Sequence, residues 1–349
     1  MLTKFSVLKR PSVIPKLARC FGLTYYEKAE RLRQLCCTSD MKRRYQEQES
    51  SCAPRLPAPL SPQEAKSICE QYHIHQGIEL MDVRCKTALI MGGASAIGAE
   101  AAAALIDNGA LHVVIADHDR VKAMGVVDKL NAPLCERRAH CLVADVRSNT
   151  SYEQAFQEVK RCYKQVDIFV NCVRVYNETP ECWESMLDVN LIGTIRGTIL
   201  AYRCLSQNGE GYLPRGGVIL NVASLGSLVK MPTMPFYAAA AAGIRGLTSS
   251  FGHEFHYEKS CVRCLTLCTA SPPTSSSCEM AKLHYDPKWA LSSQEIFKLP
   301  TSNKLVGRSI CHMIKHASNG SVFVAKDNKL FKYFIPNYKH VMCEETVLY

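Results

Sequence analysis

The sequence predicts an α/β fold, a doubly wound parallel sheet, for residues 84–336 of a 349-residue chain. Three observations predict it. From Thr87 onward, short apolar runs alternate with longer segments of helical composition, the pattern of parallel strands joined by crossover helices. The first apolar run ends in a glycine-rich turn, Met91-Gly92-Gly93-Ala94-Ser95-Ala96-Ile97-Gly98, that leads straight into a helical segment. Hydrophobic residues make up 47% and charged residues 21%, enough apolar material for a sizeable core.

The elements follow in order. Thr87–Met91 reads as a strand and Ile97–Asn108 as a helix closed by Gly109. Leu111–Ala116 with Arg120–Asn131, Cys141–Ala144 with Ser151–Lys164, and Asp167–Asn171 with Ser185–Gln207 repeat that unit. Val218–Val222 is the fifth strand. The next helix contains Ala238–Ala242, the best helix-forming composition there is, and runs to about Tyr257. Strand Cys261–Leu267, helix Asn303–Ala317 and strand Ser321–Ala325 complete the series.

The flanks differ. Residues 1–80 read as a basic extension of little structure, with 13 Lys and Arg against 8 Asp and Glu in a chain of net charge +10. Ser61-Pro62-Gln63-Glu64 has the form of a capping box, so one short helix is expected near 62–71. Residues 337–349 form a tail. A solvated extension accounts for the charge; no basic stripe interleaved with aromatics marks a nucleic-acid surface. The 18 cysteines are scattered and no secretory signal precedes them, so they read as reduced thiols of a cytoplasmic protein. The first 26 residues are basic and free of acids, which leaves mitochondrial import as the alternative, although Pro11 and Pro15 interrupt the pattern. Cys261 and Cys264 sit in an apparent strand, where residues three apart point to opposite faces, and no second pair completes a metal site. No apolar run is long enough to span a bilayer; the longest, Ala88–Leu105, is broken by Gly92, Gly93 and Glu100.

Two groups of residues carry chemistry. Glycines in a strand–turn–helix let the backbone approach phosphates, and the helix dipole favours an anion. Asp117, at the end of the second strand, can accept both hydroxyls of a ribose and would repel a 2′-phosphate. At the other end, Ser224 follows the fifth strand and Tyr237 opens the next helix, so both can reach one substrate oxygen. Asn190 lies mid-helix among apolar neighbours and needs a polar partner.

These spacings resemble the short-chain dehydrogenase/reductase family over about residues 84–336. Gly92 and Gly98 match the outer glycines of the family's Gly-x-x-x-Gly-x-Gly, a Rossmann-type nucleotide site, with Ser95, Ala96 and Ile97 between them. The resemblance implies that Asp145 and Val146 contact adenine, that Asn171 belongs to the cofactor wall, and that Thr274 meets the carboxamide of NAD. It implies that Asn190 holds a water of the proton relay. Ser224 would orient an alcohol or ketone substrate, and Tyr237 would act as general acid or base while a secondary alcohol is oxidised. It also implies a homodimer or homotetramer paired through the tyrosine helix, where Ala238 to Gly243 are small. The stretch Ser275–Pro300 would form a substrate lid. The ending, Asn319–Val324 and Lys329–Phe331, resembles insect proteins similar to 15-hydroxyprostaglandin dehydrogenase and to Drosophila-type alcohol dehydrogenase.

The departures cluster at the site. Met91, Ala96, Cys172, Val173, Arg174 and Ala270 replace family residues around the cofactor, and Ala241 stands where the family has a lysine four after the tyrosine. A free phenol has a pKa near 10, so about one in a thousand is ionised at pH 7 without a nearby cation. Arg245, one further turn along, is the remaining cation on that helix. Two functions stay open: an NAD(H)-dependent oxidoreductase with reduced or lost turnover, or an inactive scaffold or dinucleotide-binding interaction protein.

Overall fold

A computed structural model of the chain describes residues 80–206, 216–270, 282–287 and 301–335, all within the unit Ile78–Ile335. The expected helix near 62–71, the tail, Thr274 and most of the expected lid lie outside the described residues.

The strands are β1 (Thr87–Met91), β2 (His112–Asp117), β3 (Ala139–Val143), β4 (Ile168–Asn171), β5 (Val218–Ser224), β6 (Arg263–Thr269), β7 (Val322–Lys326) and β8 (Lys329–Tyr333). They form one sheet in the order β3-β2-β1-β4-β5-β6-β7-β8, parallel except for β8. The helices are α1 (Ala96–Asp107), α2 (Arg120–Asn131), α3 (Asn149–Tyr163), α4 (Trp183–Leu187), α5 (Gly193–Leu205), α6 (Pro235–Phe251), α7 (Glu254–Ser260) and α8 (Asn303–His316). The doubly wound prediction is borne out. β1 is buried at every position because both faces are covered. Its Ala88 and Ile90 pack into one core cluster and its Leu89 and Met91 into another. Strand order reverses between β1 and β4, which opens a crevice at the carboxyl ends of the strands.

Five differences from the expected elements matter. β5 extends through Ser224, which pairs with Thr269 of β6, so the serine belongs to the sheet. The expected helix Ser185–Gln207 is α4 and α5 joined by a π-helical turn, Asp188–Ile192, that contains Asn190. The helix expected to reach Tyr257 ends at Phe251. There Gly252 packs against Gly320, whose Cα would lie 2.4 Å from any Cβ added at 252, and His253 caps α7. The expected strand Cys261–Leu267 starts at Arg263, because Cys261 is the left-handed residue that ends α7. The sequence reading lacked β8. Its hairpin turns on Asp327 and Asn328, both at positive φ (51° and 54°), a two-residue turn that suits the twist of the flanking strands.

Candidate active site

The carboxyl ends of β1 to β4 border a cavity of about 360 Å³, within the range of small-ligand sites. Gly92, Ser95, Asp117, Asp145 and Val146 line it, as expected of a nucleotide site. The turn is as tight as its glycines require. Gly92 has φ +69°, and a Cβ there would meet the Val173 backbone nitrogen at 2.8 Å. A Cβ on Gly98 would lie 2.4 Å from the Gly92 carbonyl oxygen. Ser95 caps α1: its Oγ accepts from the Gly98 N–H at 3.1 Å and donates to the Gly92 carbonyl at 2.7 Å. Ala96, Ile97, Gly98 and Asn171 do not line the cavity. Ala96 is exposed, so its methyl does not crowd the space.

Asp117 Oδ2 accepts from the Ala94 N–H at 3.1 Å, and Oδ1 accepts from the Asp119 N–H at 3.2 Å. The carboxylate is therefore fixed to the glycine turn, with lone pairs left for a ribose. Lys122 and Arg147 face Asp119 and Asp145 at 3.0 and 2.7 Å, so these cations already have acid partners, and the His118 ring lies 3.0 Å from Asp117. Hydrogen bonds from Arg147 hold the Asp145 carboxyl below the ordinary carboxylate range.

A second cavity lies at the ends of β5 and α6. Its volume is about 10 Å³, room for one water at most. Asn190, Ser224, Tyr237 and Ala241 line it together with Val173 and Arg174. The three residues expected to carry chemistry are thus brought together, and all three are buried. Ser224 Oγ accepts from the Gly226 N–H at 3.1 Å. Tyr237 Oη donates to Tyr176 Oη at 3.2 Å, and the two rings stack with centroids 4.7 Å apart. Burial pushes the Tyr176 phenol well above its ordinary value, so it is a neutral partner. Asn190 finds the partner its position demanded: Oδ1 accepts from the Val175 N–H and Nδ2 donates to the Val175 carbonyl, both at 2.8 Å. It pins the segment that follows β4.

That segment carries the residues the sequence reading missed. Arg174 donates to Thr269 Oγ1 at 2.9 Å and reaches Tyr237 Oη at 3.5 Å, with its guanidinium 5.5 Å from the Tyr176 ring centroid. A cation therefore stands beside Tyr237, from the β4 segment rather than from α6. Arg245 does not line this cavity, and its Nε is buried with no hydrogen-bond partner among the described residues. Glu178 is buried and its Oε1 accepts from the Tyr237 backbone N–H, which ties the segment to the first turn of α6. Burial pushes the Glu178 carboxyl up to about 7, against the pull of the Tyr237 and Phe236 N–H donors. In sequence, Arg174 was visible only as a large residue where the family has a small one; its long-range partners had no local signal.

The glycine cradle, Asp117 and the larger cavity fit the adenosine and phosphate half of a dinucleotide. The nicotinamide half does not fit this arrangement, because Arg174 fills the space between Tyr237 and Thr269 and leaves room for only one water.

A doubly wound sheet with a glycine turn at its switch point and an acid ending β2 defines a Rossmann-type fold. The chain belongs to the short-chain dehydrogenase family: the family described as short chain dehydrogenase matches residues 86–281. It is 25% identical over 265 residues to alcohol dehydrogenase 1 of Ceratitis cosyra, covering 74% of this chain and 100% of that protein. It is 34% identical over 191 residues to 15-hydroxyprostaglandin dehydrogenase [NAD(+)] of Mus musculus, covering 54% of this chain and 68% of that protein. Among solved structures it is similar in fold to a levodione reductase, with TM-score 0.58, 19% identity, and coverage of 70% of this chain and 97% of that one. Among the described residues, no helix is long and apolar enough to cross a membrane, and no group of three or more His, Cys, Asp or Glu could hold a metal ion.

Proposed function

We propose that the chain is an NAD(H)-linked oxidoreductase of the kind that interconverts a secondary alcohol and a ketone, with turnover strongly reduced. The observation that carries this reading is the convergence of Ser224, Tyr237 and Asn190 on one cavity beside the nucleotide cradle. In this reading Ser224 and Tyr237 hold the substrate oxygen, Tyr237 passes the proton, and Asn190 fixes the wall. Asp117, with the neighbouring Lys122 and Arg147 already paired, favours NAD over NADP. The NAD(+) in the name of the Mus musculus relative points the same way. Turnover is low for two reasons: Ala241 brings no charge, and the chemical end is closed. Pairing of two copies through α6, and a cytoplasmic location, belong to the same proposal.

The span of Arg174 across the chemical end also favours a second reading, a nucleotide-binding interaction protein with no turnover. The test is NADH formation by the full chain over a panel of secondary alcohols, with Tyr237→Phe alongside. We expect little turnover, and a further loss of about a hundredfold or more in the variant, the usual worth of a general acid–base group. Activity equal in the two proteins would overturn the roles given to this site. No turnover in either selects the second reading.

A further inference from the structure

Arg174 stands between two spaces. Val173 and Arg174 line both the 360 Å³ nucleotide cavity and the 10 Å³ chemical cavity. The side chain is held by Thr269 at 2.9 Å and lies over the Tyr176 ring. Its backbone is held on both sides. Asn171 Oδ1 accepts from the Val173 N–H at 3.2 Å, Asn190 holds both backbone polar groups of Val175 at 2.8 Å, and Glu178 is bound to the start of α6. Cys172 N–H donates to the Met91 carbonyl at 2.9 Å, so the segment is also fixed to β1. Arginine has five donors and stays charged, so it does not leave a buried acceptor and an aromatic face without loss.

We propose that Arg174 is a specificity-determining residue of the nucleotide site: bound to Thr269, it admits an adenosine 5′-diphosphate and discriminates against the whole dinucleotide. The proposal rests on the reading of the larger cavity as the NAD site, and it names why turnover there is reduced. The adenosine half needs only the ends of β2 and β3, the glycine turn and the N-terminus of α1, which the structure leaves open. The nicotinamide half needs the space occupied by Arg174. A dinucleotide therefore has to break the Thr269 contact and the contact with Tyr176. A terminal phosphate at the border gains instead from a guanidinium, a strong phosphate partner. One hydrogen bond to a charged group is worth about tenfold to a hundredfold in affinity.

The experiment is isothermal titration calorimetry of the full chain with ADP and with NAD+, for the wild type, Arg174→Gly and Thr269→Val. Arg174→Gly restores a small residue, and Thr269→Val removes only the anchor, so the second variant keeps the test alive if the first does not fold. We expect the wild type to bind ADP about tenfold or more tightly than NAD+. Arg174→Gly should reverse that order, and Thr269→Val should narrow it. Wild-type affinity for NAD+ equal to or above that for ADP, or a ratio unchanged in both variants, overturns the proposal while leaving the dinucleotide reading intact. No binding of either ligand at millimolar concentration in any of the three proteins overturns both. These readouts are independent of turnover.

Discussion

Arg174 reaches across the end of β5 to donate to Thr269 Oγ1 at 2.9 Å, and Thr269 is the register partner of Ser224. The residue after β4 is thereby tied to β6, over the strand that carries the candidate catalytic serine. The cation near Tyr237 and the group that lines the cramped cavity beside Ser224 are the same side chain.

Restoring the family's lysine alone is expected to fail. Ala241 is 3% exposed and lines the same small cavity as Arg174. Ala241→Lys places a second buried cation beside an existing one, a cost of about 1–3 kcal/mol with no gain in turnover. Arg174→Gly with Ala241→Lys vacates the space and supplies the charge. Its turnover should exceed that of Arg174→Gly alone by about tenfold or more. Steady-state rates and unfolding midpoints of the three proteins check this, and a rate gain in the single lysine variant would show that Arg174 does not block the site.

Glu178 makes stability pH-dependent with a definite sign. Its folded-state pKa is raised from the ordinary 4.5 to about 7, so between those values the folded chain binds more proton than the unfolded chain. Its stabilising contribution is therefore complete below about pH 4.5 and is lost as pH rises through 7. Urea unfolding at pH 5, 6, 7 and 8 should give a wild type that declines relative to Glu178→Gln by about 1–2 kcal/mol across that range. Parallel curves for the two proteins would remove Glu178 as the titrating group.

The two unusual features of the glycine turn should behave in opposite ways. Gly98→Ala puts a methyl against the Gly92 carbonyl, where the nearest contact would be 2.4 Å, and backbone has to move. We expect loss of ADP binding by at least tenfold and destabilisation of about 1–3 kcal/mol. Ala96→Gly changes an exposed helix-start residue that does not border the cavity. It should alter ADP affinity by less than about twofold and cost up to about 1 kcal/mol of stability. Calorimetric affinities and thermal midpoints distinguish the two.

Asn190 acts on the segment rather than on solvent alone. Asn190→Ala removes both bonds to Val175, each worth about 1 kcal/mol, and leaves two backbone groups without them. We expect a lower melting temperature and faster proteolysis between Cys172 and Glu178. Asn190→Asp should retain the bond from the Val175 N–H and recover part of that loss; equal stability of the alanine variant and the wild type would refute the clamp.

Much of this was legible in the sequence. The alternating pattern located every parallel strand among the described residues, most readily where a strand covered on both faces is mostly apolar, as β1 is after Thr87. Asp117 and the Gly92–Gly98 turn were legible because their constraints are local: a strand end, a positive φ, a helix N-terminus. Ser224 and Tyr237 were legible by spacing. The ends of elements were less so. Gly252 was an available stop signal for α6, but what ends the helix is its close approach to Gly320, a contact between residues far apart in the chain.

By itself the sequence determined the fold, through periodicity, and the family and the expected meeting of Ser224, Tyr237 and Asn190 came from the resemblance its motifs carry. Tertiary structure alone decided what surrounds them. Arg174 bonds to a residue 95 positions away and Glu178 to one 59 positions away. No local propensity encodes such pairings. They arise because the parallel sheet brings the ends of β4, β5 and β6 side by side. There a bulky cation turns from a departure in a motif into the wall of the site.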